Sequence, residues 1–396
     1  MARFEPFAGI RYNPQRTRLA GVISPPYDVI DGVQRDALAA RDPHNAVLID
    51  VPSEADGDQR YHQAHQRLEA WLAEGTLVVD DRLSFTAYRM TATDEAGAER
   101  HTTGVIGALE LSPPGTDILP HEHTTPKAKS DRLDLLRSCR ANLSAIWGLS
   151  LARGLTDLLP LEDPPLAEVV DDDGVRHTVW RIDDPDVCAA ISSAVASHPV
   201  VVADGHHRYE TSLAYQGERE ALDGHAGAAG ATMTYIVELV EDELTVHAIH
   251  RLIGGLPDDT DIEAALAPWF EPVGPPPAGV AVATAMVEAG CLLLILPGRD
   301  VLLRPRPHDL SHVPDLDSSR LDVALAALPA HTLAYQHGVE QVRAAVAAGA
   351  AQAGVLLRPA TVAQIEATAH GGERMPPKTT FFHPKPKTGL VFRSLG

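Results

Sequence analysis

Five consecutive residues, Asp204-Gly205-His206-His207-Arg208, carry the densest chemistry in this chain. They follow the β-branched run Val200-Val201-Val202 and precede a helical pattern, which predicts a buried strand, a tight turn and a helix start. The first N–H groups of a helix have no internal partner and lie at the positive end of its dipole. An arginine and two histidines at that end make a site for a phosphate or another anion. On this reading Gly205, His206, His207 and Arg208 hold phosphates, and Asp204 orients a histidine or binds Mg²⁺ through phosphate. The plainer alternative is a capped helix start with solvated polar side chains. A zinc site is a third reading, but Asp-x-His-His supplies no standard ligand spacing.

Three further clusters bear on the same chemistry. In His121-Glu122-His123 the histidines alternate, so an extended backbone would turn both to one side, as a metal site requires. Glu122 is a candidate general base or metal ligand. Lys127, Lys129 and Arg132 follow and favour an anion, against the alternative of an exposed polar loop. In Pro25-Pro26-Tyr27-Asp28 the double proline fixes an extended backbone and presents Tyr27 and Asp28 rigidly. Asp28 would meet a substrate ammonium or hydroxyl, or simply cap a turn. The last 23 residues contain five Lys or Arg and no acid. Their Lys378, Thr379, Thr380, His383 and Lys385 could close over a phosphorylated ligand, and Phe381 and Phe382 predict a tail packed on the body.

The elements that must position these residues follow from periodicity. Residues 58–74 carry helical spacing, with Leu68, Trp71 and Leu72 on one face and Gly75 as a stop. Residues 76–79, 83–90 and 102–111 read as strands. Ser130 or Asp131 is a good N-cap for a helix through Leu133, Leu135 and Leu136. Residues 154–185 are acidic and Pro-rich, as in a surface excursion or the edge of a small subdomain. Residues 233–240 and 244–249 look like a hairpin across Glu241-Asp242-Glu243. Residues 256–355 are Ala-rich and read as a helical and mixed supporting region, with 272–277 as a linker and 291–296 as a buried strand. Residues 360–370 form a short helix ended by Gly371-Gly372. No repeat of solenoid or propeller type occurs.

A chain of 396 residues needs more than one core, and its 44% hydrophobic and 22% charged content is that of a globular protein. The boundaries expected are 1–150, an N-terminal α/β region, 151–255, a central region holding the turn, and 256–396, a supporting region with the basic tail. A net charge of −21 argues against nucleic acid or a membrane surface as partner, but allows a local basic pocket. The three cysteines, Cys139, Cys188 and Cys291, form no CxxC pattern, and the first residues lack a signal peptide's apolar run. The expectation is a cytoplasmic protein, with a homodimer left open.

The turn resembles the phosphate-binding signature of the ParB/sulfiredoxin superfamily, in which a strand leads into a Gly-x-His-Arg or Asp-Gly-His-His-Arg turn at a helix N-terminus. Sulfiredoxins carry a catalytic cysteine there, and here the place is taken by His206, which argues against sulfinic acid reduction. The charge balance argues against DNA partitioning. More of the chain resembles a bacterial and archaeal family labelled domain of unknown function 1015. The matching blocks are residues 24–30, His121-Glu122, Asp131-Arg132-Leu133, Ala141-Asn142-Leu143-Ser144, residues 204–210, His250-Arg251 and residues 375–382. The resemblance, and the family's likeness to free-serine kinases, imply phosphoryl transfer to a small hydroxylated metabolite.

The expected protein is an α/β or α+β enzyme, with a mixed sheet holding a ParB/sulfiredoxin-like nucleotide site and a supporting α/β region. Its leading function is a small-molecule kinase, with ATP or ADP as donor and free L-serine as acceptor. Phosphoryl transfer needs charge neutralisation, in-line positioning and help in deprotonating the hydroxyl. Neutralisation falls to His206, His207 and Arg208, with Lys129, Arg132 and Lys378 behind them. Glu122 is the first choice of base, with Asp28 next, and Mg²⁺ would bridge the phosphates through Asp204. The alternatives are a metal-dependent hydrolase using His121, His123, His206 and His207, and a non-catalytic nucleotide sensor.

Overall fold

In a computed structural model of the chain, residues 2–93, 98–120, 129–307, 309–371 and 375–396 are described. They form two compact units, Met1–Thr245 with Pro384–Gly396, and Val246–His383.

The first unit is built on a mixed sheet. Among the described residues its strand order is Ile118–Pro120, Val200–Asp204, Ile146–Ser150, Ala231–Glu238, Glu99–Glu110, Phe85–Thr93, Arg176–Ile182 and Ala167–Val170. Phe4–Glu5 pairs with the far end of Glu99–Glu110. Val200–Asp204 runs parallel to Ile118–Pro120, and Ala231–Glu238 parallel to Ile146–Ser150; the other pairings are antiparallel. The expected mixed α/β sheet is the one formed. Its core gathers Phe4, Phe85, Val105, Ile146, Val200 and Val202, all at most 2% exposed. The Phe4 and Phe85 rings stack at 5.0 Å across Gly107, where a Cβ would come within 2.5 Å of both. A second core lies beneath the four-stranded sheet Leu77–Val79, Gly9–Tyr12, Phe392–Ser394 and Ala141–Asn142. This small sheet ties the chain's last strand to its first segments.

The helices follow their patterns closely. Arg60–Ala73 buries Ala64, Leu68 and Trp71, and Gly75, at φ 76°, ends it. The helix Lys129–Cys139 begins just ahead of its expected caps, so Asp131 sits inside the first turn and is free to pair elsewhere.

Two expectations fail. Residues 233–249 do not form a hairpin. Ala231–Glu238 lies between Glu99–Glu110 and Ile146–Ser150, and Thr245–Ala248 pairs with Thr380–His383. An acidic turn between two apolar runs cannot by itself tell a hairpin from two strands with other partners. The linker expected at 272–277 begins as a strand, Phe270–Gly274, on the edge of a six-stranded antiparallel sheet in the second unit. An edge strand tolerates Pro272 because its missing N–H can face away from the ladder. That sheet continues through Arg299–Pro305, Leu292–Leu296, Ala353–Leu356, His250–Gly254 and Thr332–Gln336. The Ala-rich stretch is thus more β than its composition implied.

Candidate functional site

The strand Val200–Asp204 carries four buried residues and ends at Asp204, after a register shift between Val202 and Asp204 against Ile146–Ser150. Such an irregularity re-aims the side chain that follows it. Gly205 takes φ 88° and ψ 27°, a left-handed conformation that glycine adopts without a Cβ clash, and the helix His206–Asp223 starts at once. The Arg208 side chain packs back over Gly205, whose added Cβ would meet Arg208 Nε at 2.9 Å. The strand, turn and helix start stand where the sequence places them.

Arg208 donates to Asp204 Oδ2 at 2.8 Å and to the carbonyl of Ala145. Lys385 donates to Asp204 Oδ1 at 2.6 Å. Burial works to raise the Asp204 carboxyl, but Lys385 and Arg208 outweigh it and hold it well below the ordinary range. Both Asp204 oxygens are therefore engaged by cations. A carboxylate already taken up in this way does not fit a divalent ion such as Mg²⁺.

A second arginine joins from the helix Lys129–Cys139. Arg132 stands over the Tyr27 ring at 4.2 Å, and Arg208 over the same ring at 5.6 Å. The rigid Pro25-Pro26 segment thus sets an aromatic plate against two guanidiniums. Arg132 also donates to the Asp50 carbonyl at 2.7 Å and to Asp131 Oδ2 at 2.9 Å. Asp131 accepts from Tyr61 at 2.7 Å and from Arg60 at 3.1 Å. Asp50 is 2% exposed and accepts from Thr388 at 3.3 Å. Burial pushes its carboxyl up, against the pull of Arg132 and Arg208. Asp28 is exposed, and its charge reaches Tyr27, Asp50 and Arg208.

Arg132, Arg208, Asp50, Asn142, Ser144 and Thr211 are among the residues lining one open cavity, about 420 Å³ of space counted with the solvent at its mouth. Two of its polar atoms, Arg208 Nε and Thr211 Oγ1, are buried and make no hydrogen bond among the described residues. Unpaired buried donors cost stability, so a cavity that keeps them is suited to a polar ligand that accepts from them. Around it stand the cations Arg60, Arg132, Arg208 and Lys385, against the carboxylates Asp28, Asp131 and Asp204 and the buried Asp50. The four cations match the four carboxylates, so the balance here is far less negative than in the chain as a whole, whose net charge is −21.

Of the expected site residues, Asp204, Gly205, Arg208, Arg132 and Asp28 come together. His206 and His207 open the helix at the same turn. Lys378 belongs to the second unit, at φ 60°, with its carbonyl accepting from Arg251 at 2.9 Å. Lys129 opens its helix. Glu122, with His121, His123 and Lys127, lies outside the described residues. Among the described residues no group of three or more His, Cys, Asp or Glu is arranged to hold a metal ion, and no helix is long and apolar enough to cross a membrane. Sequence reasoning misses Asp50, Tyr61 and Thr211. Asp50 lies in an otherwise apolar helical turn, Val47–Asp50, and a lone buried carboxylate there is the available signal. Lys385 is visible in the basic tail, but nothing local ranks it ahead of Lys378.

A mixed α/β sheet with a cation-rich cavity at a strand–helix junction defines the class of this protein. The chain belongs to the DUF1015 family, described as a protein of unknown function, whose model matches residues 4–324. No curated protein matches it. Among solved structures it is similar to a free serine kinase variant in complex with ADP, at 13% identity and TM-score 0.38 over 70% of this chain and 89% of that one. SbnI with a C-terminal truncation, from Staphylococcus aureus, gives 12% identity and TM-score 0.41 over 73% and 87%. A conserved hypothetical protein from Pyrococcus furiosus gives 13% and 0.37 over 69% and 90%.

Proposed function

We propose that this protein transfers a phosphoryl group from a nucleotide, ATP or ADP, to the hydroxyl of a small metabolite, with free L-serine as the best candidate acceptor. The observation that carries this reading is the pair of guanidiniums, Arg132 and Arg208, on one tyrosine ring and on one cavity beside a long helix's N-terminus. Planar forked donors match phosphate oxygens better than point charges do. A preset cluster of them neutralises charge that spreads over the transferring group without reorganising during the reaction.

The step has a simple balance. The acceptor oxygen bonds to the terminal phosphorus, the bond to the nucleotide's bridging oxygen breaks, and the acceptor's proton passes to a carboxylate. Asp28 and Glu122 are the assigned bases. Asp28 is the better supported by position, since its charge acts on Arg208 and Tyr27. Arg208, Arg132, His206, His207 and the Gly205 turn hold the phosphates, while Asp204 and Lys385 keep Arg208 in its pose.

The test is a phosphotransfer assay with ATP or ADP against a panel of hydroxylated metabolites, L-serine first. Arg208→Ala should lose nucleotide binding. Asp28→Asn and Glu122→Gln should each be compared for turnover, and the true base should keep binding while losing rate. Wild-type rates in all three variants would overturn the assignment. Tight nucleotide binding with no turnover on any acceptor would make the protein a nucleotide sensor instead.

A further inference from the structure

A second cavity, about 840 Å³ of open space, lies elsewhere in the first unit. Its wall is apolar, formed by Ala20, Ile23, Ala37, Leu38 and Val169. Ser24 lines it too; it is 1% exposed, and its Oγ is buried with no hydrogen-bond partner among the described residues. The backbone of Ser24 is already paired with Thr388, so the hydroxyl alone remains to be satisfied. Lys387 lines the same space and pairs with Asp171 at 2.6 Å, with the two side chains 9% and 8% exposed. An ammonium has three protons, and Asp171 takes one of them. Asp172 and Asp173 line the cavity as exposed carboxylates, and Arg41 pairs with Asp172 at 2.5 Å.

We propose that this cavity binds a free α-amino acid with an aliphatic side chain. The ligand's carboxylate would take the remaining Lys387 protons and the Ser24 hydroxyl. Its ammonium would face the exposed carboxylates of Asp172 and Asp173, since both Asp171 oxygens are already taken, and its side chain would lie on Ile23, Leu38 and Val169. Charge selects the class. The lining cations Lys387 and Arg41 nearly balance the three aspartates, so a dianion such as a phosphate ester is disfavoured and a net-neutral zwitterion meets both signs. An apolar wall beside a few convergent polar groups is the usual build of a small-molecule site. This site is separate from the Arg132–Arg208 cavity and does not depend on the phosphotransfer reading.

The probe is L-leucine, measured by calorimetry on the full chain beside isoamylamine, which lacks the carboxylate, and isocaproate, which lacks the ammonium. L-leucine should bind, and each analogue should bind about tenfold more weakly or worse, as expected when one charge-assisted contact is lost. Ala37 is an exposed lining residue, so Ala37→Trp should occlude the space and abolish binding while the melting temperature and nucleotide binding stay as in wild type. Ser24→Ala should weaken binding without that occlusion. Failure of L-leucine to bind at millimolar concentration would overturn the proposal. So would equal binding of either analogue, or binding that survives Ala37→Trp. Binding lost in Arg208→Ala but kept in Ala37→Trp would place the amino acid in the other cavity and overturn it equally.

Discussion

Lys385 and Lys387 stand two residues apart near the C-terminus, and each closes a 2.6 Å ion pair with a largely buried aspartate of the same unit. The two surroundings differ. Around Asp204 the second partner is another cation, Arg208, and a third cation, Arg132, shares the Tyr27 ring. Around Asp171 the second partner is His177, at 3.0 Å, whose other ring nitrogen meets the Tyr88 hydroxyl at 2.7 Å. Burial pushes His177 down toward its neutral form, and pushes the Tyr88 phenol up. Asp171 also accepts from the backbone of Asp173 and Val175. One aspartate thus anchors surplus positive charge, and the other closes a balanced network. Surplus charge that is already positioned can receive a polyanion such as a phosphate without reorganisation, whereas a balanced network does not attract one and suits at most a ligand that is itself net-neutral.

Removing the anchor should give the largest effect. Asp204→Asn leaves Arg208 and Lys385 with their mutual repulsion and without the carboxylate that both contact, Asp28 and Asp50 acting on Arg208 only as further charges. The expected loss is about 3 kcal/mol of stability, the low end for breaking a buried pair because the Asp204 side chain keeps 19% exposure. Denaturant titration measures it. The linkage has a definite sign. The Asp204 carboxyl is held below its ordinary value, so its contribution is full above about pH 4 and is lost as pH falls below that. Asp204→Asn should flatten the acid limb of the stability curve. An unchanged acid limb would mean that the cations are held by something other than Asp204.

The two lysines separate next. Lys385→Met should weaken nucleotide or inorganic phosphate binding about tenfold, since one positioned cation is lost from the cluster. Lys387→Met should leave phosphate binding within about twofold, because Asp171 keeps His177 and its backbone donors. Isothermal titration on both variants decides it. The reverse order would dissolve the contrast between the two pairs.

His177 gives a pH signature of its own. Its folded-state value is depressed by burial, so its contribution is full above its ordinary value, about 6.5, and is lost as pH falls through the depressed value. Wild-type stability should decline between neutral and mildly acid pH, and His177→Asn should lessen that slope, leaving the share of the buried His250, which burial holds at about 4. Phosphate binding measured at fixed protein stability should not follow it.

The two regions are unequally legible in the sequence. The Asp204 turn is local: a β-branched run, a glycine at positive φ and a helix start sit within ten residues, and each announces itself by type. Arg132 and Tyr27 are also visible as chemistry-bearing residues, though nothing local says that they meet. Asp50 is invisible because its partners, Arg132 and Thr388, lie 82 and 338 residues away. The Asp171 network joins residues from separate strands, a loop and the tail, and no local signal links Tyr88, His177 and Lys387. The same limit explains the mistaken hairpin at 233–249 and the choice of Lys378 over Lys385. Burial pattern along a strand can be read from sequence, but which strand lies beside it depends on long-range register.

The smallest expected effect concerns the plate that the two guanidiniums share. Burial pushes the ionisation of the Tyr27 phenol up, and Arg132 and Arg208 stand over its ring, so the ring rather than the oxygen is what they meet. Tyr27→Phe keeps the ring and should change phosphate binding by less than about twofold. Tyr27→Leu keeps bulk but removes the quadrupole, and at about 0.5–1 kcal/mol per contact it should weaken phosphate binding several-fold. Neither change should affect the Lys387 side of the molecule. If Tyr27→Phe costs as much as Tyr27→Leu, the hydroxyl itself takes part in binding. The site would then be a hydrogen-bonding pocket rather than a pair of cations set by an aromatic face.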